Sequence, residues 1–180
     1  MTAESVGWAP RVWVGCLACY NEGRLVGEWF DAVNAGEVTI YDIHGAHTRA
    51  DLHDELWCFD IENIPVRGEM SPAEAAQWGE VLTGVEDHLR PALNAWVESG
   101  SYTVESTGDL PSVGDFRDQY LGHWESFRDY VESLAEDTGL LEGMPENLQV
   151  YFDWDRFADD ERHSYSVCDA TEGGVHVFTA

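Results

Sequence analysis

Thirty-five carboxylate residues are set against only nine basic ones, all of them arginine, so this 180-residue chain carries a formal net charge of −26. Self-repulsion on that scale opposes compactness, and a folded state needs enough apolar burial to outweigh it. The chain has the material: 44% of its residues are hydrophobic, with eight Trp, seven Tyr and seven Phe. Disordered acidic chains are poor in aromatics, so this one is expected to fold, as one large domain or as two to three small modules. Solubility alone asks for a net charge of about 2–8 in a small domain, so the surplus needs another reason. Arginine holds fixed, bidentate carboxylate pairs, whereas lysine mostly decorates surfaces. Its exclusive use reads as cations reserved for structure and acids kept for display.

The acid excess is uneven. Residues 1–50 carry a net −3, residues 51–100 and 101–150 carry −9 each, and residues 151–180 carry −5. An ordinary protein adapted to high salt would also be acidic and lysine-poor, but would spread its acids over the first fifty residues as well. No run of 18 apolar residues offers a membrane span. The opening MTAESVGWAP lacks the basic and apolar stretches of a signal peptide and reads as a flexible lead-in over residues 1–10. Four cysteines (Cys16, Cys19, Cys58 and Cys168) are too few for a disulfide scaffold, and a reducing cytoplasm is the expected location.

Pattern reading gives an α+β chain. Residues 11–19 (RVWVGCLAC) alternate as a strand. Residues 24–31 (RLVGEWFD) place Leu25–Trp29 and Val26–Phe30 four apart, as in a short helix. Residues 37–43 and 55–61 read as further strands. Ser71-Pro72-Ala73-Glu74 is a capping signal with proline at the first helical position, followed by a stripe of Trp78, Val81, Leu82, Val85 and Leu89. Pro91 opens a second helix with Leu93, Trp96 and Val97 inward, and Gly100 ends it. Ser112 caps a helix with Asp115 in its first turn, running through Phe116 and Tyr120 and broken or bent at Gly122. Residues 124–137 form the clearest helix, with Trp124, Phe127, Val131 and Leu134 inward and Gly139 as its stop. Residues 165–168 and 175–178 read as a hairpin about Glu172-Gly173-Gly174. The expected modules are an N-terminal α+β unit (11–68), a helical middle (69–107) and a C-terminal α+β unit bearing the acidic helix (108–180).

On that helix Glu125, Asp129, Glu132 and Glu136 are spaced to share one face, opposite the apolar stripe, and Asp118 continues the register. Like charges four apart destabilise a helix by about 0.2–0.5 kcal/mol per pair, so the row is maintained at a cost. Duplex DNA carries one charge per about 1.7 Å of axis, so −26 corresponds to about 13 base pairs. The display surface is assigned to Glu80, Glu86, Asp87, Glu98, Asp115, Asp118, Glu125, Asp129, Glu132, Glu136, Asp137, Asp153 and Asp155. Repulsion argues against direct binding to nucleic acid.

Several blocks in order resemble the ArdA antirestriction family: residues 12–32 (VWVGCLACYNEGRLVGEWFDA), 55–66 (ELWCFDIENIPV), 126–141 (SFRDYVESLAEDTGLL), 144–160 (MPENLQVYFDWDRFADD) and 172–178 (EGGVHVF). The resemblance covers about residues 11–180. It implies an elongated, curved chain of three small modules. It also implies a homodimeric DNA mimic that blocks the DNA-binding groove of type I restriction-modification enzymes and protects mobile DNA entering a bacterial cell. By the same match the dimer contact falls near Leu140, Leu141, Met144, Pro145 and Leu148. Residues 33–54 depart from the family pattern.

Other chemistries are weaker. His44, His47, Asp51, His53 and Asp54 are ligand types gathered in one segment, which keeps a small metal enzyme as an alternative, but H-G-A-H lacks a recognised pair spacing. Cys16-x-x-Cys19 on a strand points its thiols to opposite faces, so two buried thiols are expected there. Asp153-x-Asp155 hints at a calcium loop, but Phe157 and Ala158 stand at positions needing a ligand and a glycine. G-x-S-x-G, phosphate-loop and dinucleotide patterns are absent. The expectation is a non-enzyme without cofactor or metal, with an acidic salt-adapted protein as a further alternative.

Overall fold

In the computed structural model, which describes residues 8–46, 52–105 and 109–180, the chain is mixed α+β with two three-stranded antiparallel sheets. It divides into two compact units, one of Met1–Arg90 with Val104–Val113 and one of Pro91–Thr103 with Gly114–Ala180. Among the described residues no helix is long and apolar enough to cross a membrane.

In the first unit β1 (Arg11–Cys16) is the central strand, with β2 (Gly27–Asp31) on one side and β3 (Leu56–Glu62) on the other. Val12, Val14 and Cys16 are buried, the alternation expected of a half-covered sheet. The chain departs from the sequence expectation at three places in this unit. The first strand stops at Cys16, and Leu17–Asn21 turns as helix α1. The expected helix over 24–31 is instead strand β2, paired with β1 so that Val12 faces Phe30. Its four-residue spacings are equally compatible with one helical turn, but Leu25 is 75% exposed and the cross-strand pairing wins. The expected strand over 37–43 is a 3-10 turn (Ala32–Glu37) followed by helix α2 (Ile40–His44). The reciprocal cap between Thr39 and Asp42 decides the local structure.

Helix α3 (Pro72–Thr83) begins where the sequence places it, the Ser71 hydroxyl accepting from the Glu74 backbone N–H at 3.2 Å. Trp78 and Leu82 are buried. Gly79 is required by packing: a Cβ there would run into the backbone of Ala32 and Val33, so the helix and the 3-10 turn approach backbone to backbone.

The second unit contains α4 (Arg90–Glu98) from its second residue onward, α5 (Val113–Gln119) from Gly114 onward, β4 (Tyr120–Trp124), α6 (Phe127–Thr138), α7 (Glu146–Gln149), α8 (Trp154–Glu161), β5 (Tyr165–Asp169) and β6 (Val175–Thr179). The sheet order is β4-β6-β5, and the predicted hairpin is β5–β6. The long helix starts three residues later than the sequence suggests, because Trp124 belongs to β4 and pairs with Val175. Its stop is as expected, with Gly139 left-handed at φ 65.

Aromatic packing dominates this unit's core. Trp96 stacks on Phe178 with centroids 6.0 Å apart, and Phe116, Tyr120 and Phe178 form a continuous group. Aromatic pairs contribute about 0.5–1.5 kcal/mol beyond their burial, a direct offset to charge repulsion. Phe127, Tyr130 and Val131 of α6 bury with Ala158 of α8 and Val177 of β6, which fixes the outward faces of both helices.

Candidate functional site

Acidic side chains are the first candidate. On α6 the Ser126 hydroxyl accepts from the Asp129 N–H at 3.2 Å, which makes Ser126 the N-cap and leaves Glu125 ahead of the helix. Asp118 lies on α5, with all of β4 between it and α6. The five-member helical row expected from sequence therefore reduces to Asp129, Glu132 and Glu136, because strand pairing of residues 120–124 interrupts the helical period. Asp129, Glu136 and Asp137 are exposed, whereas Glu132 is half-buried. Arg128 lies between the helices: its Nε donates to Glu132 at 2.6 Å and its Nη1 to Asp155 at 2.8 Å. It ties α6 to α8 and neutralises part of the row. Such exposed pairs contribute about 0–1 kcal/mol.

The remaining positions assigned from sequence are distributed over both units. Glu80, Glu86, Asp87, Glu98 and Asp118 are exposed and Asp115 is half-buried. Asp87 pairs with Arg90 at 2.8 Å. Asp153 accepts from the Arg156 N–H at 3.0 Å and caps α8, which gives the Asp153-x-Asp155 pattern a helical role. Exposed Asp159 and Asp160 on α8 were missed because that helix was not read. The signal was an aspartate cap followed by Trp154, Phe157 and Ala158 at helical spacing.

Beside α6, the apolar residues of the suggested dimer contact are open to solvent. Leu140, Met144, Pro145 and Leu148 are exposed and Leu141 is half-buried. Val150 and Tyr151 extend the patch at 77% and 82% exposure. Those last two were not singled out from sequence.

A second cluster lies in the first unit. Because residues 17–21 are helical, Cys16 and Cys19 do not diverge as they would on a strand, and that part of the sequence reading is overturned. Cys16 Sγ lies 3.3 Å from His53 Nδ1; Cys19 Sγ lies 3.6 Å from the same nitrogen and 3.8 Å from His44 Nε2. The four ligand-type atoms are all within 4.8 Å of one another. Both thiols are buried and both imidazoles half-buried. Burial pushes the Cys19 thiol above its usual range, helped by its contact with Cys16. Burial and the neighbouring His53 and Arg24 hold His44 below its usual value. His47 and Asp51 lie outside the described residues, and Asp54 is exposed.

In the second unit His176 is buried, its Nδ1 3.1 Å from the Tyr120 hydroxyl. Burial lowers the His176 pKa against the opposing pull of Glu172 and pushes the Tyr120 phenol up to about 12. This pair joins β4 to β6.

The molecule is thus a small α+β protein with exposed acids on both of its units, four of its arginines, Arg11, Arg24, Arg90 and Arg128, being paired with neighbouring carboxylates. The chain matches the ArdA antirestriction protein family over residues 12–176. It belongs to that family, and an antirestriction function comes with membership. None of the curated proteins matches it.

Proposed function

We infer that the protein inhibits type I restriction-modification enzymes as a DNA mimic, its carboxylates standing in for backbone phosphates in the DNA-binding groove of the specificity and methyltransferase core. One observation carries the reading. In the second unit α6 and α8 share an apolar inner face while Asp129, Glu136, Asp137, Asp155, Asp159 and Asp160 stay exposed. Acids held by well-packed helices are pre-positioned, so little ordering cost remains when a basic groove closes on them. Such a groove gains affinity on DNA through counterion release at phosphates, and fixed carboxylates offer the same contacts.

The inhibitor acts as a homodimer through the patch at Leu140, Leu141, Met144, Pro145 and Leu148, doubling the span from about 13 to about 26 base-pair equivalents. The action is stoichiometric and involves no catalysis. Titrating the protein into a purified type I enzyme tests this: inhibition is complete near one inhibitor dimer per groove and is relieved by excess duplex. Inhibition that needs turnover, or that survives any excess of duplex, contradicts it.

A further inference from the structure

We propose that Cys16, Cys19, His44 and His53 form a structural zinc site that clamps the α1 turn and the end of α2 onto the central strand of the first unit.

The chemistry of the donor set selects the metal. Two thiols and two imidazoles are the ligands of closed four-coordinate zinc sites, whereas calcium and magnesium take oxygen. The geometry agrees. With Zn–S near 2.3 Å and Zn–N near 2.0–2.1 Å, the edges of a tetrahedron are about 3.4–3.8 Å. The three sulfur–nitrogen distances of 3.3, 3.6 and 3.8 Å lie within about 0.3 Å of the roughly 3.6 Å sulfur–nitrogen edge, and all four ligand atoms are within 4.8 Å of one another. The ligands come from four places: the last residue of β1, the first turn after it, the last residue of α2 and the segment leading into β3.

Binding releases one proton from each thiol to solvent, and two thiolates with Zn²⁺ and two neutral imidazoles make a site of zero net charge. A chain already at −26 thus gains a cross-link without further charge. Four protein ligands leave no open position, so the site's role is structural.

The test uses the full chain, purified from zinc-supplemented cells under reducing conditions. Elemental analysis should find one zinc per chain. Replacement with Co²⁺ should give the visible bands of a tetrahedral site together with thiolate-to-cobalt charge transfer in the near ultraviolet. His53→Gln, at a half-buried position, should weaken zinc binding at least about tenfold, since even the outer partners of such ligands cost 10–100-fold when lost. Cys19→Ser should abolish the charge-transfer band contributed by that thiolate. Where Cys19→Ser does not fold, His53→Gln and the wild-type cobalt spectrum decide. Substoichiometric zinc, no cobalt bands and thiols equally reactive with and without zinc would overturn the proposal; a Cys16–Cys19 disulfide formed in preference to metal would do the same. None of these readouts depends on restriction inhibition.

Discussion

The two units carry the same formal charge by different means. The first holds 18 acids against five arginines and the second 17 against four, −13 in each case. In the second, the repulsion is opposed by a core of large aromatics, Trp96, Phe116, Tyr120 and Phe178, and the acids stand on helices backed by that core and its neighbours. In the first, the sheet buries small side chains, Val12, Val14, Cys16 and Cys58, the larger buried residues Trp78 and Leu82 come from α3, and the cluster of two thiols and two imidazoles gathers at the end of β1. The two cores thus differ in kind, a cluster of stacked rings in one and a sheet packed under a single helix in the other, and the consequences for mutation differ.

The largest expected effect breaks the aromatic side of this comparison. Phe178→Ala should cost about 3–5 kcal/mol in denaturant unfolding, and a loss below 1 kcal/mol, small for a buried aromatic, would show that the second unit is not held by its rings. Gly79→Ala sharpens the other side. Its methyl would push against the backbone of Ala32 and Val33, and overpacking of this kind costs about 1–3 kcal/mol. Hydrogen exchange should localise the damage to α3 and the 3-10 turn. Ser126→Ala removes the cap of α6 and should cost about 0.5–2 kcal/mol, with fraying of the helix that carries Asp129.

Lowering the pH should weaken the second unit through His176. Its folded pKa lies below the usual 6.5, so the unfolded chain takes up a proton first. The stability present above 6.5 is then lost as pH falls toward the lower folded value. Thermal unfolding between about pH 7.5 and pH 5.5 should show this slope, and His176→Gln should flatten it. The smallest effect belongs to the display surface. Glu136→Gln should leave stability within about 0.5 kcal/mol and change the salt dependence of inhibition by roughly the loss of one phosphate contact. A single carboxylate whose loss abolished activity would point to a catalytic centre.

What could be read from sequence was decided by neighbouring residues. Ser71 with Pro72, Gly100, Gly139 and the Gly173–Gly174 hairpin are local chemistry, and each ends or turns the chain where expected. The misreadings have non-local causes. Residues 24–31 become a strand because β1 is there to pair with, and Trp124 leaves the helical stripe because Val175 faces it across the sheet. Most acids assigned to the proposed display surface were legible as exposed, Asp115 and Glu132 being half-buried, but their single row was not, since β4 interrupts it. The thiol–imidazole cluster was invisible as a unit because its parts are 24 and eight intervening residues apart along the chain, and α1, α2 and the approach to β3 bring them together.

The proposed mimicry requires carboxylates to replace phosphates in a basic groove. Its most direct test is the affinity of the protein for a purified type I methyltransferase core, measured across a salt series with and without duplex DNA. Mimicry predicts mutually exclusive binding and an affinity that falls linearly on a log–log plot with a steep slope, as for DNA itself. A complex that ignores salt, or that holds protein and duplex together, contradicts it.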